Sequence, residues 1–138
     1  MTVERKPIAF GDQRAWIEAL RDEGELHEVT AQVDWNIELG TIMRMAQGTG
    51  EGPALLFSNI KDYNKKGARG SKVFGCSLSS YRRIAMMLGL PPDTHPRELV
   101  KVARTILNGT IPPKIVKTGP VKENIVTGDE INLLDFPV

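Results

Sequence analysis

Hydrophobic positions along the chain recur with a helical period in some stretches and a strand period in others, and the alternation lays out the elements. Behind Asp12, a good N-cap, Trp16, Ala19 and Leu20 fall at helical spacing, and Gly24 stands where the residue beyond a helix C-terminus belongs; this predicts a helix from Asp12 to Glu23. His27, Val29, Ala31 and Val33 then alternate with Glu28, Thr30 and Gln32, the pattern of a half-buried strand with His27 packed on the inward side beside Val29. Asp34 is placed to cap a second helix, with Ile37, Ile42, Met43 and Ala46 on its buried side and Gly48, Gly50 and Gly52 ending it. The run from Ala54 to Ile60 reads as an inner strand, Lys61 to Gly70 as a loop, and Lys72 to Cys76 as another strand. Ser79 opens a third helix that stops at Gly89. A fourth begins near Pro96, a favoured first helical position, with His95 as its cap; Leu99, Val100, Ala103, Ile106 and Leu107 keep helical spacing until Asn108 and Gly109.

Beyond Pro112 and Pro113 the helical signal ends. Two apolar-rich arms flank Thr127, Gly128, Asp129 and Glu130, which predicts a hairpin or a sharp bend. The fold expected is α/β (α+β), a small mixed sheet flanked by about four helices. The chain finishes on Leu133, Leu134, Phe136 and Val138 without a polar tail. Domain ends are usually exposed and frayed, so the natural polypeptide is expected to continue past Val138.

Composition narrows the class. With 138 residues, 41% of them hydrophobic and 25% charged, the chain is an ordinary globular one, and general disorder, collagen and coiled coil are excluded. Eighteen basic residues against 17 acidic ones leave a net charge of +1, so no global attraction to nucleic acid is indicated. One cysteine and two histidines exclude a disulfide scaffold and a Cys/His zinc site. No apolar run approaches the roughly 18 residues of a membrane span, and the N-terminus lacks the apolar core of a signal peptide. A soluble, cytoplasmic domain is expected.

Candidate chemistry is sparse. The GTGEG run at 48–52 invites a phosphate-binding reading, but such a turn needs a strand before it and a helix after it, and here the order is reversed. A connection between helix and strand is the expectation. Lys61, Lys65, Lys66, Arg69 and Lys72 against Asp62 make a locally basic loop that, with Tyr63 and with Arg82 and Arg83 nearby, would suit an anion; a solvated loop is the plainer alternative. Cys76 reads as a buried structural thiol, since a nucleophile there would need Arg82 or Arg83 to lower its pKa. Asp34 and Glu38 are accounted for by capping and the helix dipole. Glu123, Asp129 and Glu130 surround a turn and are expected to be exposed. Met43, Met45, Met86 and Met87 read as core filling. No catalytic apparatus emerges from the residues themselves.

Four segments, in order, resemble the UbiD family of (de)carboxylases. The stretch 12–44, with its Gly24-Glu25-Leu26 step into a strand and a helix after an aspartate, is similar to the family's N-terminus. GPALLFSNIKDYN at 52–64 resembles its "GPALLFENVKG" strand and loop. KVFGCSLSSYRRIAMMLGL at 72–90 resembles a segment ending in "RRIALALGL", and 119–138 resembles "PVKEVVLTGDDVDLLKLPIP". The resemblance spans nearly the whole chain; the loop from Lys61 to Lys72 departs from it in length.

The resemblance implies a carboxy-lyase that reversibly decarboxylates an aromatic or α,β-unsaturated acid with prenylated FMN, Mn2+ and K+. In such enzymes the cofactor carries the covalent chemistry and the protein positions the substrate. It implies that residues 1–115 are the N-terminal α/β domain and 116–138 the first strands of a split-barrel flavin-binding domain, with the flavin, metal and proton-transfer residues downstream. No catalytic, cofactor-binding or metal residue is therefore assigned to a position here. The partners it implies are the remainder of a longer chain, a small aromatic acid and further copies in a homo-oligomer. A free-standing, non-catalytic subunit of a carboxylase complex and a small anion- or nucleic-acid-binding domain are the alternatives.

Overall fold

Asp12 accepts from the Ala15 amide at 3.0 Å and so starts α1, Gln13–Asp22, whose Trp16 and Leu20 face inward. Gly24, at φ +71°, turns the chain into β1, Leu26–Val29. The computed structural model describes residues 10–48, 50–65, 70–109 and 111–137. In these, α2 (Glu38–Gln47) returns the chain to β2 (Ala54–Phe57), β3 (Val73–Gly75) follows, and α3 (Tyr81–Met87) and α4 (Pro96–Asn108) complete the domain.

The sheet has the order β1-β2-β3. β1 and β2 are parallel, with Leu26 opposite Ala54 and Val29 opposite Phe57; β2 and β3 are antiparallel, with Phe57 opposite Val73. Two parallel strands joined through a helix form a β-α-β unit, which needs cover on both faces. Every residue of β2 is buried, as that demands of a central strand. Leu55 and Phe57 point to one face and pack with Leu39, Ile42, Met43 and Ala46 of α2, while Ala54 points to the other face and packs with Trp16, Leu20 and Met86 of α1 and α3. The layers are α2, sheet, then α1 with α3, and α4 lies outside α3 through Leu99, Ala85 and Leu90.

The expected mixed sheet with four helices is what the chain forms, with four local corrections. His27 is exposed, because β1 is an edge strand and the apolar cluster under α2 takes up Val29 but leaves its first half open. Asp34 does not cap α2: Ile37 stands at that position with φ +69° and 77% of its surface exposed, so it lies off the buried side. Met45 is likewise 74% exposed and fills no core. Finally, 111–137 forms neither a hairpin nor a strand among the described residues; it folds into single 3-10 turns at Pro120–Lys122, Gly128–Glu130 and Leu133–Asp135. A strand takes most of its stability from a neighbour's ladder, and this segment has none.

Candidate functional site

The two ends of the parallel pair carry the polar groups that the fold organises. At the amino end, Arg83 is fully buried. Its position in α3, three before Met86, puts it on the apolar face of the helix, where its guanidinium would be costly without partners. It finds four: Nη1 donates to Glu25 Oε2 at 2.9 Å, Nη2 to the Gly52 carbonyl at 2.7 Å and to Ser79 Oγ at 2.9 Å, and Nε to the Ser77 carbonyl at 3.1 Å. Glu25 also accepts from Arg82 Nε at 2.7 Å. One side chain thus ties the start of β1, the start of β2 and the β3–α3 connection together. Ser80 caps α3 by accepting from the Arg83 amide, and Trp16 Nε1 donates to Ser77 Oγ at 2.8 Å.

At the carboxyl end, β1 runs on to an isolated bridge between Val33 and Ile60. In open α/β sheets this is the end at which ligands are bound. Asp34 and Lys61 pair there at 2.6 Å. The Lys61 ammonium, and then the Asn36 amide, hold the Asp34 carboxyl below the usual aspartate range, while Asp34 raises Lys61 above its own. Glu38 accepts from the Asp34 amide at 2.7 Å, so the two carboxylates organise the turn leading into α2. Trp35 meets the edge of Tyr63, ring centroids 6.3 Å apart, and its indole N–H donates to Asp62 at 3.4 Å. Tyr63 is buried, and its hydroxyl lies within hydrogen-bond distance of the Leu134 carbonyl and 2.8 Å from that of Phe136.

Among the described residues the basic side chains do not come together as an anion site, in line with the plainer alternative of a solvated loop. Lys61 is at the carboxyl end and is paired with Asp34; Arg82 and Arg83 are at the amino end and are paired with Glu25. Lys65 is exposed, and Lys72 lines a 740 Å³ cleft with Arg14, Ile17 and Leu56. Lys66 and Arg69 lie outside the described residues. Cys76 is buried, its sulfur 3.4 Å from Gln47 Nε2 and 3.6 Å from the Met43 carbonyl, while both arginines are engaged elsewhere. It is a structural thiol. His95 accepts from the Arg97 amide and caps α4, as expected, and Glu123, Asp129 and Glu130 are exposed. What the residue pattern did not reveal was Glu25 as the partner of Arg83; an arginine on an apolar helical stripe was the available signal.

The metal and flavin phosphate that the resemblance implies find no fitting set among the described residues. Among the described residues no three His, Cys, Asp or Glu side chains come together as metal ligands. The glycine-rich connection, whose Thr49 lies outside the described residues, leaves a helix and enters a strand; a Cβ at Gly52 would sit 1.7 Å from the Ala46 carbonyl oxygen. Gly52 serves close backbone packing there, and no helix N-terminus follows it to receive a phosphate. Among the described residues no helix is long and apolar enough to cross a membrane.

A β-α-β unit and a third, antiparallel strand between helical layers define a small three-layer α/β domain. Residues 17–103 match the family described as the 3-octaprenyl-4-hydroxybenzoate carboxy-lyase N-terminal domain. The chain belongs to that family, the UbiD carboxy-lyases, through their N-terminal domain. It is 33% identical over 135 residues to pyrrole-2-carboxylic acid decarboxylase of Pseudomonas aeruginosa, covering 92% of this chain and 26% of that protein. It is 35% identical over 131 residues to phenolic acid decarboxylase of Bacillus subtilis, covering 94% and 26%. Among solved structures, the open form of vanillic acid decarboxylase of Sedimentibacter hydroxybenzoicus with a truncated VdcD subunit superimposes with a TM-score of 0.74 at 29% identity, over 93% of this chain and 26% of that one. The closed form gives 0.73, also at 29% identity, over 91% and 26%. The chain thus spans about a quarter of the length of these relatives.

Proposed function

We propose that residues 1–115 are the N-terminal α/β domain of a longer carboxy-lyase, and that 116–138 lead into its flavin-binding domain. The reaction is the reversible decarboxylation of an aromatic or α,β-unsaturated acid. Prenylated FMN is its cofactor, with Mn2+ and K+ at the phosphate, all held by parts of the protein other than the residues described here. The observation that carries this reading is the match over residues 17–103 together with relatives that are acid decarboxylases about four times as long. The pairs of Lys61, Arg82 and Arg83 support it too: these cations are spent on the domain's own carboxylates and carbonyls, as suits a wall of the cleft. A wall contributes to such chemistry by excluding water and shaping the cleft.

The test is the intact mass of the polypeptide from its own source, with its absorption spectrum. A mass far above 15.3 kDa and a flavin absorbance are expected, whereas the 138-residue chain expressed alone should neither decarboxylate nor bind flavin. A native mass of 15.3 kDa would replace the reading with that of a free-standing subunit. Stoichiometric flavin on the 138 residues alone would overturn the division of labour.

A further inference from the structure

The carboxyl end of the parallel pair, where an open α/β sheet would present a ligand site, is occupied by the chain's own residues 133–137. Tyr63 is 8% exposed, and its phenol meets two main-chain carbonyls, those of Leu134 and Phe136. A phenol has one proton to donate, so the two carbonyls share it. The contact is to the main chain of the strap, and its two leucines face outward: Leu133 is 74% exposed and Leu134 62%. Gly70, on the far side of the loop, approaches the same strap closely; a Cβ there would fall 2.6 Å from Pro137 Cδ.

The platform is built to hold Tyr63 in place. Asp62, the residue before it, is one of three described non-glycine residues with a positive φ, at +68°. Such a conformation costs free energy and persists where its surroundings enforce it. Here the enforcing contacts are Trp35, which donates to Asp62 and meets the Tyr63 ring edge-on, and the Lys61–Asp34 pair one residue earlier. The strap has its own local order, with Asn132 Oδ1 accepting from the Leu134 amide at 3.1 Å.

We infer that Tyr63 is a positioning residue: it latches residues 133–137 by their backbone onto the end of the sheet and so fixes the path of the chain out of the domain. The latch stands on contacts within this chain, apart from the functional reading. If that reading also holds, Tyr63 sets where the linker meets the next domain.

The experiment is limited chymotrypsin digestion of the 138-residue chain, with cleavage rates followed by mass spectrometry and the urea midpoint as control. Tyr63→Phe keeps the ring and its packing and removes only the hydroxyl. Cleavage after Leu133 and Leu134 should accelerate about five-fold, what loss of one neutral hydrogen bond amounts to, while cleavage at Leu55 to Phe57 stays unchanged. Asn132→Ala, on an exposed residue away from the core, should accelerate the same cleavages. Unchanged rates at the strap in Tyr63→Phe would overturn the latch. So would equal acceleration at strap and core in Tyr63→Phe, since the phenol would then be holding the domain together instead.

Discussion

At the scale of single residues, the most consequential side chain is Arg83. Its neighbour Arg82 carries the same charge and touches the same Glu25, yet is half exposed, with 48% of its side chain accessible. Burial separates them. Removing one partner from a buried, hydrogen-bonded ion pair costs about 3–5 kcal/mol, whereas an exposed pair contributes about 0–1 kcal/mol. Arg83→Leu should therefore destabilise the domain toward the lower end of that first range, because Glu25 keeps Arg82 while the Gly52 and Ser77 carbonyls lose their donor. Arg82→Leu should cost within about 1 kcal/mol. Urea denaturation of both at neutral pH decides it, and equal losses would mean that Arg83 contributes only surface charge. Much of this was hidden in the sequence, where the two arginines look alike. The one clue was that Arg83 shares a helical stripe with Met86, and nothing local pointed to Glu25, which lies 58 residues away.

Between elements, what the sequence disclosed follows from how local each signal is. The helix starts at Asp12 and Pro96 and the buried run of β2 were legible, because caps, proline and apolar runs act within a few residues. The start of α2 was not. Asp34 has the chemistry of a cap, but its carboxylate is drawn to Lys61, which comes 27 residues later from the end of β2, and the helix begins only at Glu38. That pair joins the exit of β1 to the exit of β2, and it makes stability depend on pH. The Asp34 carboxyl has a lower pKa folded than unfolded, because Lys61 and the Asn36 amide donate to its charged form. Its contribution is therefore present at neutral pH and is lost as pH falls below the ordinary aspartate value, about 4, through the lower folded value. Urea midpoints measured from pH 7 down to pH 2.5 should fall less steeply for Asp34→Asn than for the parent chain. Parallel profiles would show that the pair carries no linkage. Histidine gave the opposite lesson: alternation marked His27 as inward, but whether a strand face is covered depends on the helix packed over it, and α2 leaves that part of the edge open.

Across the whole molecule, the three-layer core accounts for residues up to about Gly109, and beyond it the balance of apolar surface changes. Ile115 is 95% exposed, Val121 88% and Leu133 74%, and the segment that carries them forms only isolated 3-10 turns. The sequence marked this region as a change of character and as a hairpin or a sharp bend at Thr127 to Glu130; a turn forms there, at Gly128–Glu130, without the paired strands of a hairpin. Alternating apolar arms specify a strand only when a neighbouring strand supplies the ladder. If the longer carboxy-lyase is the working protein, these side chains are covered there, and the same substitution should have two different costs. In the 138-residue chain, Ile115→Ser and Val121→Ser should each change stability by no more than about 0.5 kcal/mol, the usual range for an exposed site. In the longer polypeptide each should cost about 1.5–3 kcal/mol, the transfer free energy of a fully buried aliphatic side chain. Denaturation midpoints of the paired variants in the two lengths of chain measure the difference directly. A neutral result in both would mean that this apolar segment faces water in the complete protein as well, and that the α/β domain meets its neighbour through another surface.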